Sequence, residues 1–212
     1  MLAPKTGWYS RFRWPTIKEP RKTGMGDTMR PPAPSGLLTG DELLRMPQLD
    51  PCELVDGRIR PMTPTNAEHG RIELNVAAAL RAFARSQNLG TVMVGEVGIF
   101  TSRDPDTVRA ADVLFLSHAR GERRSHDRGY LDVAPELVVE VLSPDDRPAE
   151  VQQKITEYLA IGVRLVWIVD PAALTVQVYH GARPVSVLTE RDRIDGGDVL
   201  PGFSLPVSAV FE

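Results

Sequence analysis

Two apolar runs flanking one amphipathic helix constrain this chain more than any other feature. Residues 136–142 and 165–169 are nearly unbroken aliphatic stretches, the composition of strands covered on both faces. Between them, residues 148–161 read as a helix. Pro148 suits its first position, Val151, Ile155, Tyr158 and Leu159 form an apolar stripe, and Gly162 stands where a C-terminal glycine belongs. Strand, helix and strand in this order make a βαβ crossover, which joins parallel strands in a right-handed sense. A chain built on such a unit is α/β.

The segments around this unit add antiparallel strands. Thr39 is placed to cap a short helix that Pro47 stops. Glu53-Leu54-Val55 and Arg58-Ile59-Arg60 are joined by Asp56-Gly57, a strong hairpin signal. A long helix follows over residues 66–87, its stripe made by Ile72, Val76, Leu80 and Phe83. Residues 91–94, 97–101 and 108–117 read as strands and lead into an arginine-rich loop. Residues 175–179 and 184–188 suggest a closing antiparallel meander. The expectation is one domain over residues 36–212. Its central mixed β-sheet is flanked by two main helices, with an N-terminal hairpin and C-terminal antiparallel strands.

Composition separates the first 35 residues from the rest. They hold seven Lys/Arg against two acids, and six prolines, without apolar periodicity; this is the signature of a disordered basic arm. Trp8, Tyr9, Phe12 and Trp14 would let such an arm touch nucleic acid. The plainer reading, which the prior favours, is an extension ahead of a working protein that begins at Met25 or Met29. The remainder carries 18 basic against 26 acidic residues, a balance of −8. A single cysteine, Cys52, excludes a disulfide framework and a thiolate zinc site. No apolar run approaches the ~18 residues of a membrane span, and no basic-then-apolar leader opens the chain. A soluble cytoplasmic protein is expected.

Two acids stand where apolar residues belong. Asp112 lies inside Ala110-Ala111-Asp112-Val113-Leu114, and Glu140 inside Val138-Val139-Glu140-Val141-Leu142. A charge in a covered strand is costly unless it is paired or metal-bound. One such acid alone most often meets solvent or an arginine at a strand end. Two of them from one sheet offer the oxygen ligands that magnesium prefers. Lys154 adds to the pair. It lies one turn from Val151 and from Tyr158, bordering the buried stripe, and the helical Cβ tilt aims it back at the 143–146 loop. There it can orient an attacking water or neutralise charge on a phosphate; the commoner fate of such a lysine is a stem over the core with its ammonium in water. Glu96 is the candidate third acid, and equally a solvated strand-edge residue. Arg120, Arg123, Arg124 and Arg128 cluster between the two acid-bearing segments, a solvated loop in the usual case and a grip on phosphates in the functional one.

These residues belong to a longer ordered set. It comprises Glu53-Leu54-Val55-Asp56-Gly57, Glu68-His69-Gly70, Arg109-Ala110-Ala111-Asp112-Val113, the stretch from Pro135 to Pro144, Lys154-Ile155-Thr156-Glu157-Tyr158-Leu159, and Gly162-Val163-Arg164 through Trp167-Ile168-Val169-Asp170-Pro171. No single piece is specific, but together they resemble the Uma family of restriction endonuclease-like proteins, a branch of the PD-(D/E)xK nuclease superfamily. The resemblance implies a restriction endonuclease-like core and Mg²⁺-dependent phosphodiester hydrolysis, with DNA as the expected substrate and Mn²⁺ as an alternative ion. It maps the motif aspartate to Asp112 and the second acid to Glu140. The position two after Glu140 is Leu142, so the family's lysine maps to Lys154 on the helix. Asp112 and Glu140 are then the metal ligands, with Glu96, from its position beside Asp112, and the Val141 carbonyl as the candidates to complete the set. Glu53, Glu68 and His69 recur near the site in that family, which implies a supporting role; on spacing alone His69 reads as a locally satisfied residue at a helix start. Ala111 departs from the proline that usually precedes the aspartate, a change of backbone shape rather than of chemistry.

Two expectations compete. One is a metal-dependent endonuclease with nucleic acid as partner, for which paired cuts on a duplex make a homodimer sensible. The other is a non-catalytic nucleic-acid or protein binding module that retains the nuclease fold. Intact Asp112, Glu140 and Lys154 favour the first. The acidic balance of the folded part counts against a nucleic-acid surface, which is normally basic.

Overall fold

Unbroken burial of the central strands, their side chains alternating between two apolar clusters, decides the layers. The computed structural model describes residues 36–49, 51–125, 128–180 and 183–212; the arm expected over residues 1–35 lies outside them. In chain order the elements are α1 (Gly40–Leu44), β1 (Cys52–Val55), β2 (Arg58–Pro61), α2 (Ala67–Ser86), β3 (Gly90–Ser102), β4 (Thr107–Ser117), α3 (His118–Gly121), β5 (Leu137–Val141), α4 (Pro148–Ala160), β6 (Leu165–Asp170), β7 (Thr175–His180), β8 (Arg183–Thr189), β9 (Arg193–Gly196), β10 (Leu200–Pro206) and α5 (Ser208–Phe211). Leu137, Val139, Val141, Leu165, Trp167 and Val169 enter one apolar cluster, while Val138, Val166 and Ile168 enter another. Successive strand side chains point to opposite faces, so β5 and β6 are covered on both.

The sheet runs β2-β1-β4-β5-β6-β7-β8, with β3 paired to β4. Only the β5–β6 pair is parallel among these, Leu137 standing opposite Leu165 and Val141 opposite Val169. The helix α4 that links these two strands presents Ile155 and Tyr158 to one face. On the other face, Ile72, Val76 and Leu80 of α2 pack with Phe203 of the β9–β10 hairpin and Val210 of α5. A smaller cluster joins Leu43, Leu49, Leu54 and Val108 around the N-terminal hairpin. This is a mixed α/β fold with two main helices flanking a central sheet, as the sequence pattern implies.

The local signals act as their chemistry requires. Thr39 and Glu42 form a reciprocal capping box at α1, and the Asn66 side chain accepts from the His69 N–H at the start of α2. Asp56 and Gly57 have φ of 49° and 70°, the left-handed pair a two-residue I′ hairpin turn demands. Three features differ from the sequence pattern. Residues 91–94 and 97–101 are parts of one strand, because Gly95-Glu96 forms a bulge and not a loop: Val94 pairs with Val113 and Val97 with Ala111, so two residues oppose Asp112. The arginine-rich loop opens with the four residues of α3, too short to show a period. The β9–β10 hairpin and α5 also escape the pattern: the apolar residues of the hairpin are broken by Gly, Asp and Pro, and α5 has only four residues. No helix among the described residues is long and apolar enough to cross a membrane.

Candidate active site

Strand register brings the two acids together. Val113 stands opposite Val139 in the antiparallel β4–β5 pair, so the next position along places Asp112 across from Glu140. Here the carboxylate replaces the ladder: the Val141 N–H donates to Asp112 Oδ2 at 2.7 Å. His69, in the first turns of α2, brings Nε2 to 3.3 Å from the same oxygen. Its hydrogen bond to Asp112 raises the imidazole pKa, with burial working against it. His69 Nδ1 is buried and has no hydrogen-bond partner among the described residues.

Glu140 points at α4. Its Oε1 accepts from the Tyr158 hydroxyl at 2.6 Å, and its Oε2 lies 3.2 Å from Lys154 Nζ. Burial pushes the Glu140 carboxyl up to about 7, with Lys154 opposing that rise. Lys154 Nζ also reaches Glu53 Oε1 at 3.0 Å. Burial alone would pull this ammonium down, but Glu140 and Glu53 hold it above its ordinary value. The lysine is thus a fixed cation between two carboxylates, borne on a helix turn that packs against the strand carrying one of them.

A second tier holds that lysine in place. Leu54 pairs with Val108, so Glu53 and Arg109 are cross-strand neighbours. Arg109 donates to Glu53 Oε2 at 2.9 Å and makes a two-pronged contact with Glu157 at 2.6 and 2.8 Å. Glu53 Oε1 also accepts from the Ala110 N–H at 3.0 Å. Burial pushes the Glu53 carboxyl up, but Lys154 and Arg109 outweigh it and leave the value below the ordinary range. Glu53, His69, Asp112, Glu140 and Lys154 all line one cavity of about 320 Å³.

Not every expected residue joins them. Glu96 sits in the β3 bulge opposite Asp112 with φ of 52°; it is exposed and outside the cavity lining. The bulge turns it away, and the neighbouring half-buried Glu73 is the acid held there, by the Gly95 N–H at 3.0 Å. Glu68 is exposed and borders an adjoining, larger cavity. Arg120, Arg123, Arg124 and Arg128 lie beyond the C-terminal end of β4, and none lines the site cavity. Arg120 departs most from a phosphate grip: its guanidinium is spent on Glu136 and on the carbonyls of Ala134, Pro135 and Gly162. Conversely, Tyr158, Arg109 and Glu157 are site residues that spacing does not announce. Tyr158 sits in an apolar stripe, and Arg109 and Glu157 acquire meaning only when their partners are known.

Comparison with known proteins bears on the family and the fold. A family model, Uma2, described as "Putative restriction endonuclease", matches residues 41–208. A crystal structure from Anabaena variabilis, described as a "putative nuclease belonging to DUF820", is similar with a TM-score of 0.69 and 22% identity, over 82% of this chain and 97% of that one. No curated protein matches. At that identity the solved structure speaks for the fold.

Proposed function

The chain belongs to the Uma2 family, and from that premise we propose that it is a metal-dependent nuclease that hydrolyses phosphodiester bonds, with DNA as substrate and Mg²⁺ as its ion. The observation that carries this reading is the cross-strand pair Asp112 and Glu140 at one cavity, with Lys154 Nζ 3.2 Å from Glu140.

The donor set fits a hard divalent cation. Among the described residues, Glu53, Glu140 and Glu157 pair with two permanent cations, Lys154 and Arg109, and Asp112 pairs with His69, so the cluster carries an excess of negative charge that burial makes costly. Among the described residues no three His, Cys, Asp or Glu side chains form a ready cage. Asp112 and Glu140 would hold the ion together with the Val141 carbonyl and waters, the sparse carboxylate coordination that magnesium accepts. Bound there, the ion would supply a Lewis acid for the phosphate and a water of lowered pKa.

The protein's own groups supply position and charge. Lys154 presents its ammonium to the cavity, where it orients a water and offsets charge developing on the phosphate oxygens. Glu53 and Arg109 keep that ammonium from swinging into solvent. The Tyr158 hydroxyl fixes the rotamer of Glu140, and the Val141 N–H with His69 fixes that of Asp112. The test is direct: incubate the purified protein with single-stranded, double-stranded and branched DNA in Mg²⁺ or Mn²⁺. Cleavage that is lost in Asp112→Asn and in Glu140→Gln is the expected result. Cleavage that persists in either variant overturns the assignment.

A further inference from the structure

Beside the site cavity lies a larger one of about 570 Å³, and the two share His69, Leu142, Ser143, Asp146 and Val151 in their walls. This size falls within the ~300–1,000 Å³ of small-molecule sites. Its floor comes from the sheet: Ile168 of β6 stands opposite Gln177 of β7, and Val166 opposite Tyr179, which puts Gln177 and Tyr179 on the face that α4 covers. One wall is α4, through Val151 and Ile155. Asn66, Glu68, Ser143, Asp146, Gln152 and Asp170 add polar groups to the lining, and the floor itself carries an oriented amide: the Tyr179 hydroxyl donates to Gln177 Oε1 at 3.0 Å, which leaves the Gln177 nitrogen to donate.

Charge says how a nucleic acid can bind here. Around the two cavities stand Glu68, Asp145, Asp146, Glu150 and Asp170, besides the acids of the site, and the cationic groups in the lining are Lys154 and His69. Phosphate contacts to basic side chains normally supply most of the affinity for nucleic acid. An acidic rim cannot do that, so the bases must hold the strand. We propose that the larger cavity is a nucleobase pocket: it takes an unpaired base of the nucleotide next to the scissile phosphate, against Tyr179 and the aliphatic wall, with the Gln177 amide donating to a base carbonyl. The proposal rests on the nuclease reading and narrows its substrate to single-stranded or splayed DNA. A base inside an intact duplex is stacked and paired and cannot enter.

The experiment measures anisotropy of labelled DNA with the full chain in Ca²⁺. The probes are a thymidine 12-mer, its fully abasic analogue with the same phosphates, and a 12-base-pair duplex. The thymidine strand is expected to bind at least tenfold tighter than the other two, because stacking is lost with the base. Tyr179→Ala weakens only the thymidine strand, by about tenfold, and Tyr179→Phe, which keeps the ring but loses the hydroxyl on Gln177, restores most of it. Equal binding of the abasic and thymidine strands by the wild-type protein overturns the pocket, as does duplex binding that matches the single strand. If DNA is cut in Mn²⁺ and Asp112→Asn stops it while the abasic strand binds equally well, the pocket alone is wrong. If no probe binds and nothing is cut, the nuclease reading falls with it.

Discussion

Replacing Arg109 by Met tests whether the second tier of the site is built on charge. The Arg109 side chain is 7% exposed and makes three short contacts, one to Glu53 and two to Glu157. Methionine keeps the apolar stem and removes the cation. Breaking a buried ion pair from one side costs ~3–5 kcal/mol. The lower end applies here, because Glu157 is 20% exposed and keeps Thr101 and Gln153, while Glu53 keeps Lys154 and the Ala110 N–H. A loss of ~3 kcal/mol is therefore expected, or about 6–12 °C in Tm for a domain of this size. The pH dependence has a defined sign. Burial pushes Glu53 up, yet Lys154 and Arg109 hold it below 4.5. A depressed carboxylate contributes stability above its unfolded pKa and loses it as pH falls through the folded one. Without Arg109 less of that contribution remains, so the gap between wild type and variant is large at neutral pH and closes as pH falls below 4.5. Urea unfolding across pH 3–7 reads this directly. A loss under ~1 kcal/mol, or a gap that does not change with pH, would refute the reasoning, and adding Glu157→Gln to the variant should recover part of the loss.

Glu140 should give the opposite slope. Its carboxyl is raised to about 7 by burial, so the folded state holds a proton that the unfolded state releases, and metal-free stability falls as pH rises from 4.5 to 7. The loss is up to about 3 kcal/mol, and Glu140→Gln should flatten it in urea titrations with a chelator present. Tyr158→Phe removes the hydroxyl from Glu140 Oε1 and should cost ~1.5–3 kcal/mol above pH 7, where Glu140 is ionised and the bond is one to a charged group, while moving the cleavage pH profile alkaline. Lys154→Met should abolish cleavage and leave Mn²⁺ binding measurable by calorimetry, with ~3 kcal/mol lost because Glu53 and Glu140 remain buried without their cation.

What could be read from the sequence is what contradicts its own local pattern. Asp112 and Glu140 stand out because a charge inside an aliphatic strand conflicts with the run around it. Asp56-Gly57 and the βαβ unit are legible because period and turn chemistry are local. Tyr158 hides for the converse reason: an aromatic residue in an apolar helix stripe satisfies the pattern, and its hydroxyl acquires a role only through Glu140 on β5. Arg120 misleads in the same way, since the carbonyls that occupy it belong to residues 134, 135 and 162. Gly95-Glu96 reads as a break between strands because a bulge and a loop use the same residues. The common cause is register. A slip of one residue between β4 and β5 would send Asp112 to the opposite face from Glu140 without altering a single local signal. The candidate site therefore exists only at the rung beyond Val113 and Val139, and that rung is set by the packing of both sheet faces rather than by any motif.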